Sequence, residues 1–268
     1  MAGVLEPNKS KIAKRVIEIL EFFNENGEKA TVMDIVRHYG RPQSSTSELL
    51  SSLVEMGLLY KDNRSRSYSP TPRVAALGAS AQPEIIRDGS LFSLMDRIAE
   101  DTGASAALFG MVGTYVQIFR LSQGFERAVR GLGYGASEQL SSSTAGLLLL
   151  ATVAPEQVGR ILWRLKAEAP AEAKFNPAEI REQIAVFRRK GSAAGPAGFV
   201  QGIQVTATLL PRSAMQPPLA LGLLYPAGRV ADPDALISLM NRGIAQCGAR
   251  RDYDYEISPS AEPFRIAV

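Results

Sequence analysis

The stretch TVMDIVRHYGRPQSSTSELLSSLVEMGL, residues 31–58, decides how the rest of the chain is read. Its pattern predicts two short helices joined by a tight turn. The first covers 31–39, with Thr31 and Asp34 three apart as an N-terminal capping pair. Gly40 ends it, because glycine enters the left-handed backbone of a helix C-terminus without steric cost. Pro42 suits the first turn of the next helix, where a missing N–H is harmless. In that second helix Leu49, Leu50, Leu53 and Val54 recur at helical spacing as a buried face. Ser44, Ser45, Glu48, Ser51, Ser52 and Glu55 fall largely opposite. An apolar back with a small, hydrogen-bonding front suits the DNA major groove. Taken alone, the stretch also fits an ordinary helical hairpin.

The flanking residues separate these readings. Downstream, LLYKDNRSRSYSPTPRV (58–74) reads as two short strands around the polar turn 62–65, with Lys61, Arg64, Arg66 and Arg73 against a single acid, Asp62. A basic hairpin directly after a recognition helix is the wing of a winged helix-turn-helix. Upstream, KSKIAKR (9–15) carries four positive charges and no negative ones. Such cations contact phosphates by releasing counterions, or simply begin a solvated helix. Ile12, Val16, Ile19, Leu20 and Phe23 continue as a helical apolar stripe that stops near Asn26 and Gly27.

At 268 residues the chain has room for two domains and a sizeable core. Apolar residues make up 46% and charged residues 21%, as in a soluble globular protein. The formal charge of +3 is too small to indicate nucleic acid by itself, so the placement of charge carries that argument. One cysteine, Cys247, excludes an internal disulfide and a cysteine-rich metal site; one histidine, His38, excludes a histidine cluster. No cofactor or metal is expected. No apolar run nears the roughly 20 residues that span a membrane, and the N-terminus shows no signal-peptide stretch, so the expected location is cytoplasmic.

Residues 11–78 resemble the DNA-binding domain of the IclR family of bacterial transcriptional regulators. The order is the family's: a leading helix (KRVIEILEFF), a short helix, GRPQSSTSELLSSLVEMGLL, the wing and PRVAALG. Where the family commonly has Lys, this chain has Gln43, which weakens a generic phosphate contact and leaves a side chain able to read an adenine edge. The resemblance implies Arg41, Gln43, Ser44, Ser45, Thr46, Glu48, Lys61, Arg64, Arg66 and Tyr68 as the DNA-binding set. It also implies a homodimer or homotetramer on double-stranded DNA with a palindromic operator.

The expected domains are a winged helix-turn-helix over 1–76, a partly helical linker over 77–90 and an effector-binding domain over 91–268. In the last, LFSLMDRIAEDTG (91–103) is an amphipathic helix, and 104–113 and 114–122 form a hairpin about Gly113. Apolar continuity over 145–153 predicts a buried helix with a hydroxyl-rich start, and a further helix follows Pro155. PAEIREQIAVFRRK (177–190) is amphipathic, with three cations at its C-terminal end that suit the macrodipole. SAAGPAGF (192–199) reads as a flexible loop, 199–211 and 219–226 as paired strands, and 233–252 as the last helix. Cys247 falls on that helix's apolar face as a small core residue. The sum is an α+β chain whose second domain is an α/β sandwich with an antiparallel sheet.

That second domain resembles the IclR effector-binding domain, so a small organic effector is implied. A helix start offers free N–H groups to a carboxylate, and Ser141, Ser142, Ser143 and Thr144 add hydroxyls there, with Ala145 and Gly146 behind them. Plain N-capping explains the same residues. On the alignment through Gly191, Gly202 and Pro226, the other pocket positions are Gly195, Val205, Gly222 and Leu224, where relatives sensing small acids carry polar groups. A very small acid finds too few partners there, so a partly apolar ligand such as an aromatic carboxylic acid is expected; Arg120 and Arg130 are candidates to pair its carboxylate and fit equally as surface residues. The alternative is a closed pocket and a ligand-independent regulator. Catalysis is not expected: a serine nucleophile needs a base, and the lone His38 lies in the first domain.

Overall fold

The computed structural model describes residues 7–125, 129, 132–169, 175–212, 216–229 and 232–249. The chain divides into two compact units, Met1–Gln82 and Pro83–Val268.

In the first unit, helix α1 (Pro7–Asn26) precedes strand β1 (Ala30–Thr31), then α2 (Val32–Tyr39), α3 (Gln43–Glu55), β2 (Leu59–Asp62), β3 (Ser67–Pro70) and α4 (Pro72–Ala76). The capping pair forms in both directions. The Thr31 N–H donates to Asp34 Oδ2 at 2.9 Å and the Asp34 N–H to Thr31 Oγ1 at 3.3 Å. Gly40 closes α2 at φ 62°, donating to the Val36 carbonyl. Pro42 stands one place earlier than expected, as the extended residue just before α3, and leaves its carbonyl free to accept from the helix start. Leu50 and Leu53 are fully buried beside Ile19, Phe22, Phe23 and Ile35, each contributing about 1.5–3 kcal/mol. The strands pair antiparallel in the order β1-β3-β2, which is the expected winged helix-turn-helix.

The second unit opens with α5 (Glu84–Arg87) and α6 (Ser90–Thr102) and continues through β4 (Ser105–Val112), β5 (Tyr115–Ser122) and β6 (Ser137–Gln139). Then come a 3-10 turn (Leu140–Ser142), α7 (Thr144–Leu150), α8 (Pro155–Glu168) and α9 (Pro177–Lys190). Strands β7 (Ser192–Pro196), β8 (Ile203–Leu209) and β9 (Leu219–Pro226), and helix α10 (Pro233–Ala249), complete it. The six strands form one antiparallel sheet in the order β6-β5-β4-β9-β8-β7. Period-2 alternation divides its side chains between two cores. Ala106, Leu108, Leu221, Leu223 and Tyr225 pack with α6 and α10; Ala107, Phe109, Val205, Ala207 and Leu224 pack with α7, α8 and α9.

Two expectations need correction. Residues 192–196, read as loop, are the edge strand β7, paired with β8 from Ser192↔Thr208 to Pro196↔Gln204. Their small side chains hide a strand because one face of an edge has little to bury. The buried helix expected over 145–153 ends at Leu150. Pro155 holds Ala154 extended and starts a new helix, and the Arg188 guanidinium donates to the Ala151 and Val153 carbonyls at 2.8 and 2.7 Å. Of the three cations thought to serve the α9 dipole, one therefore caps α7.

Candidate nucleic-acid interface and ligand site

On α3 the outward face is Gln43, Ser44, Ser47, Glu48 and Ser51, and Ser44, Ser47, Glu48 and Ser51 repeat at i, i+3, i+4 and i+7. Gln43, Ser44 and Glu48 are exposed as expected. Ser47, half-buried, lies in the same row by its helical spacing from Ser44. Thr46 does not belong to this face. It is 2% exposed and its hydroxyl donates to the Pro42 carbonyl at 2.9 Å. Ser45 is half-buried, donates to the same carbonyl and accepts from Arg15 at 3.2 Å. Arg15 thus reaches the start of α3 from thirty residues upstream, a contact no local spacing signals. Arg41, expected to face DNA, is held by Glu18: one terminal nitrogen lies 3.0 and 3.1 Å from the two carboxylate oxygens.

In the wing, Lys61, Arg64 and Arg66 are all exposed. Asp62 shapes its tip, accepting from the Arg64 N–H at 2.9 Å and the Ser65 hydroxyl at 2.7 Å. The Ser65 hydroxyl, then the backbone N–H groups of Arg64 and Ser65, hold the Asp62 carboxyl below the usual carboxylate range. Arg66 takes a left-handed backbone at φ 53°, unusual for a residue with a side chain. Tyr68, also assigned to DNA, is a core residue at 3% exposure, with Lys61 Nζ 5.9 Å above its ring centroid. The alternation of β2 instead turns Tyr60 outward at 59%.

Of the expected ligand-site residues, Ser143, Thr144, Ala145, Gly146, Gly195, Val205, Gly222 and Leu224 gather between α7 and its side of the sheet, whereas Ser142 is exposed and Ser141 half-buried on the turn before it. Gly195, Val205 and Leu224 are successive cross-strand partners on β7, β8 and β9. Gly222 stands between Ala107 and Ala207, and with Ala193 these make a row of small residues on the sheet. That row lets α7 lie buried along its whole length. Thr144 fits against Gly195, where a Cβ would stand 2.7 Å from Thr144 Oγ1. Gly146 was read as room for a ligand; its missing side chain accommodates the chain itself, since a Cβ there would sit 2.5 Å from the Leu140 carbonyl oxygen.

The site is tightly filled. Phe109, fully buried, stacks on Phe199 with centroids 5.9 Å apart and planes 29° apart. The two best-formed hollows of the described residues lie elsewhere and hold about 10 Å³ each, room for one water. Amid this packing Ser143 is 1% exposed and its hydroxyl has no hydrogen-bond partner. A buried orphan hydroxyl costs about 1–3 kcal/mol. Arg120 cannot serve the site: it lies across the Phe92 ring, 4.5 Å from its centroid, and 3.6 Å from Asp96, both on α6 against the other sheet face. Arg130 lies outside the described residues. Among the described residues no three His, Cys, Asp or Glu side chains stand together to hold a metal. No described helix is long and apolar enough to cross a membrane.

Residues 13–63 match the family model of the IclR helix-turn-helix domain. The acetate operon repressor of Salmonella typhimurium is 20% identical over 221 residues, 81% of each chain. Among solved structures, the IclR transcriptional regulator of Alicyclobacillus acidocaldarius superposes with a TM-score of 0.58 at 20% identity, over 91% of this chain and 98% of its own. An IclR homologue of Microbacterium hydrocarbonoxydans, solved in complex with 4-hydroxybenzoate, has a TM-score of 0.58 at 19% identity, over 89% and 98%.

Proposed function

We proceed from the membership of this chain in the IclR family of DNA-binding transcriptional regulators, and we propose that its second unit senses a small aromatic carboxylic acid. The observation that carries the ligand class is Ser143, a buried hydroxyl without a partner among apolar walls. A carboxylate would satisfy that hydroxyl, and an aromatic ring would take the place of side chains against Phe109, Val205 and Leu224. Glyoxylate or pyruvate brings no apolar surface to offset its desolvation in such walls. The 4-hydroxybenzoate bound by the Microbacterium hydrocarbonoxydans homologue supports the same class.

For DNA, Gln43, Ser44, Ser47 and Glu48 form the reading edge, while Arg15, Lys61, Arg64 and Arg66 hold phosphates. The operator is palindromic and is bound by a homodimer or homotetramer. The ligand acts by binding DNA-competent and DNA-incompetent arrangements with unequal affinity.

Thermal unfolding of the full chain with 4-hydroxybenzoate, benzoate, glyoxylate and pyruvate tests the reading. The aromatic acids should raise Tm, the small acids should not, and Ser143→Ala should remove the effect. A second reading, a ligand-independent regulator, is favoured by the filled site; stabilisation by none of these acids would establish it.

A further inference from the structure

We propose that Phe199 is a built-in occupant of the ligand site, so that the ring of an entering aromatic acid exchanges with it on the face of Phe109. This rests on the ligand-sensing reading above. Phe109 presents its buried ring from the sheet, and among the described residues the ring stacked on it is Phe199, from the loop joining β7 to β8. Phe199 is only half-buried, and its neighbours Val200 and Gln201 are exposed, so few apolar contacts hold the tip of this loop in place.

The backbone supplies pivots on both sides. Gly198 and Gly202 have φ of 88° and 78°, conformations that side chains rarely adopt. Ala197 donates to the Ile203 carbonyl at 2.9 Å and Ala227 to the Gly202 carbonyl at 2.8 Å, so the base is clamped, and the long 3.3 Å bond from the Ile203 N–H to the Val200 carbonyl must open for 199–201 to swing. Gly198 also presses on the turn before α7: a Cβ there would stand 2.5 Å from the Ser142 carbonyl oxygen and 3.2 Å from Ser143 Cα. The loop that carries the ring therefore covers the residue with the orphan hydroxyl. Phe199 fills space but cannot satisfy Ser143, whereas an aromatic acid does both. That difference drives the exchange.

The site is thereby selective for one flat ring with an acid group. An aliphatic acid loses the stack with Phe109, and an apolar ring alone leaves Ser143 unpaired.

The experiment compares the full chain with Phe199→Ala, and with Phe199→Val in case the alanine variant folds poorly, using benzene and benzoate as probes. Benzene should raise the Tm of the variants and leave the wild type unchanged, because only the variants hold a vacant ring-sized space. Benzoate should bind the variants about tenfold more tightly, since no internal ring competes with it. Benzene that stabilises no variant, or stabilises the wild type equally, overturns the exchange. So does benzoate binding that is unchanged or weakened in the variants. A distinct outcome separates the two proposals: if benzene stabilises the variants but benzoate binds them no better than benzene does, the occupant role of Phe199 stands and the acid-sensing role of Ser143 falls.

Discussion

The two units solve opposite problems with the same residue types. On α3, Ser44 and Ser51 stand exposed, Ser51 donating to the Ser47 carbonyl at 3.0 Å, and the leucines behind them fix the helix. Around α7, serine and threonine lie inward, the leucines surround them, and glycine and alanine let the backbone close in. A preformed surface suits a partner that is always the same shape, whereas a filled interior admits only a ligand that repacks it. The difference teaches that hydroxyl-rich helix starts carry no fixed meaning. What matters is whether their hydrogen bonds are already made, as at Thr46, or left open, as at Ser143.

Core truncation gives the largest effect that sharpens this contrast. Leu53→Ala should cost the first unit about 2–5 kcal/mol in chemical denaturation and abolish DNA binding with it. Next, Gly146→Ala should cost the second unit about 1–3 kcal/mol, because its new Cβ meets Leu140 backbone that cannot move aside. Ser142→Ala, on the exposed side of the same turn, should stay within about 0.5 kcal/mol. If Gly146→Ala were as mild, the tight fit of this turn would be wrong.

Smaller still is the pair Thr46→Ala and Ser47→Ala. The first should lower stability by about 1 kcal/mol and keep the order of preferred DNA sequences; the second should change that order and leave stability alone. The reverse pattern in competition binding would return Thr46 to the reading edge. Arg64→Ala should weaken binding to all sequences and reduce the salt slope by about 1.

The slightest effect comes with pH. Backbone and hydroxyl donors of Thr31 hold the Asp34 carboxyl below its usual range, and those of Ser65 and Arg64 do so for Asp62. Their folded values lie below the unfolded ones, so the stabilisation is complete above a pH of about 4 and is lost as pH falls through the folded values. Asp34→Asn with Asp62→Asn should flatten the acid side of the stability curve, measured as urea midpoints between pH 6 and pH 3.

The first unit was legible because its signals are local. The Thr31–Asp34 pair, Gly40 and the 3.6-residue leucine spacing each act within one helical turn. Its misreadings, Thr46 and Tyr68, came from residue type outweighing position: both sit at buried places in the repeat. Arg41 and Arg15 were decided by Glu18 and Ser45, partners 23 and 30 residues away. In the second unit the order of elements was readable and the site less so. Strand β7 has too few large side chains to show a period. The true occupants of the space at Gly146 and around Phe109 are backbone and a ring on another loop, which no local pattern encodes.

Ligand sensing as proposed requires one coupling, in which a ligand seated beside Ser143 alters what α3 does to DNA. The direct measurement is the affinity of the full chain for DNA from the region flanking its own gene, with and without saturating benzoate, for wild type and Ser143→Ala. The account predicts a change of at least about fivefold in the wild type and none in the variant. An unchanged affinity in the wild type, with benzoate shown to be bound, would contradict it.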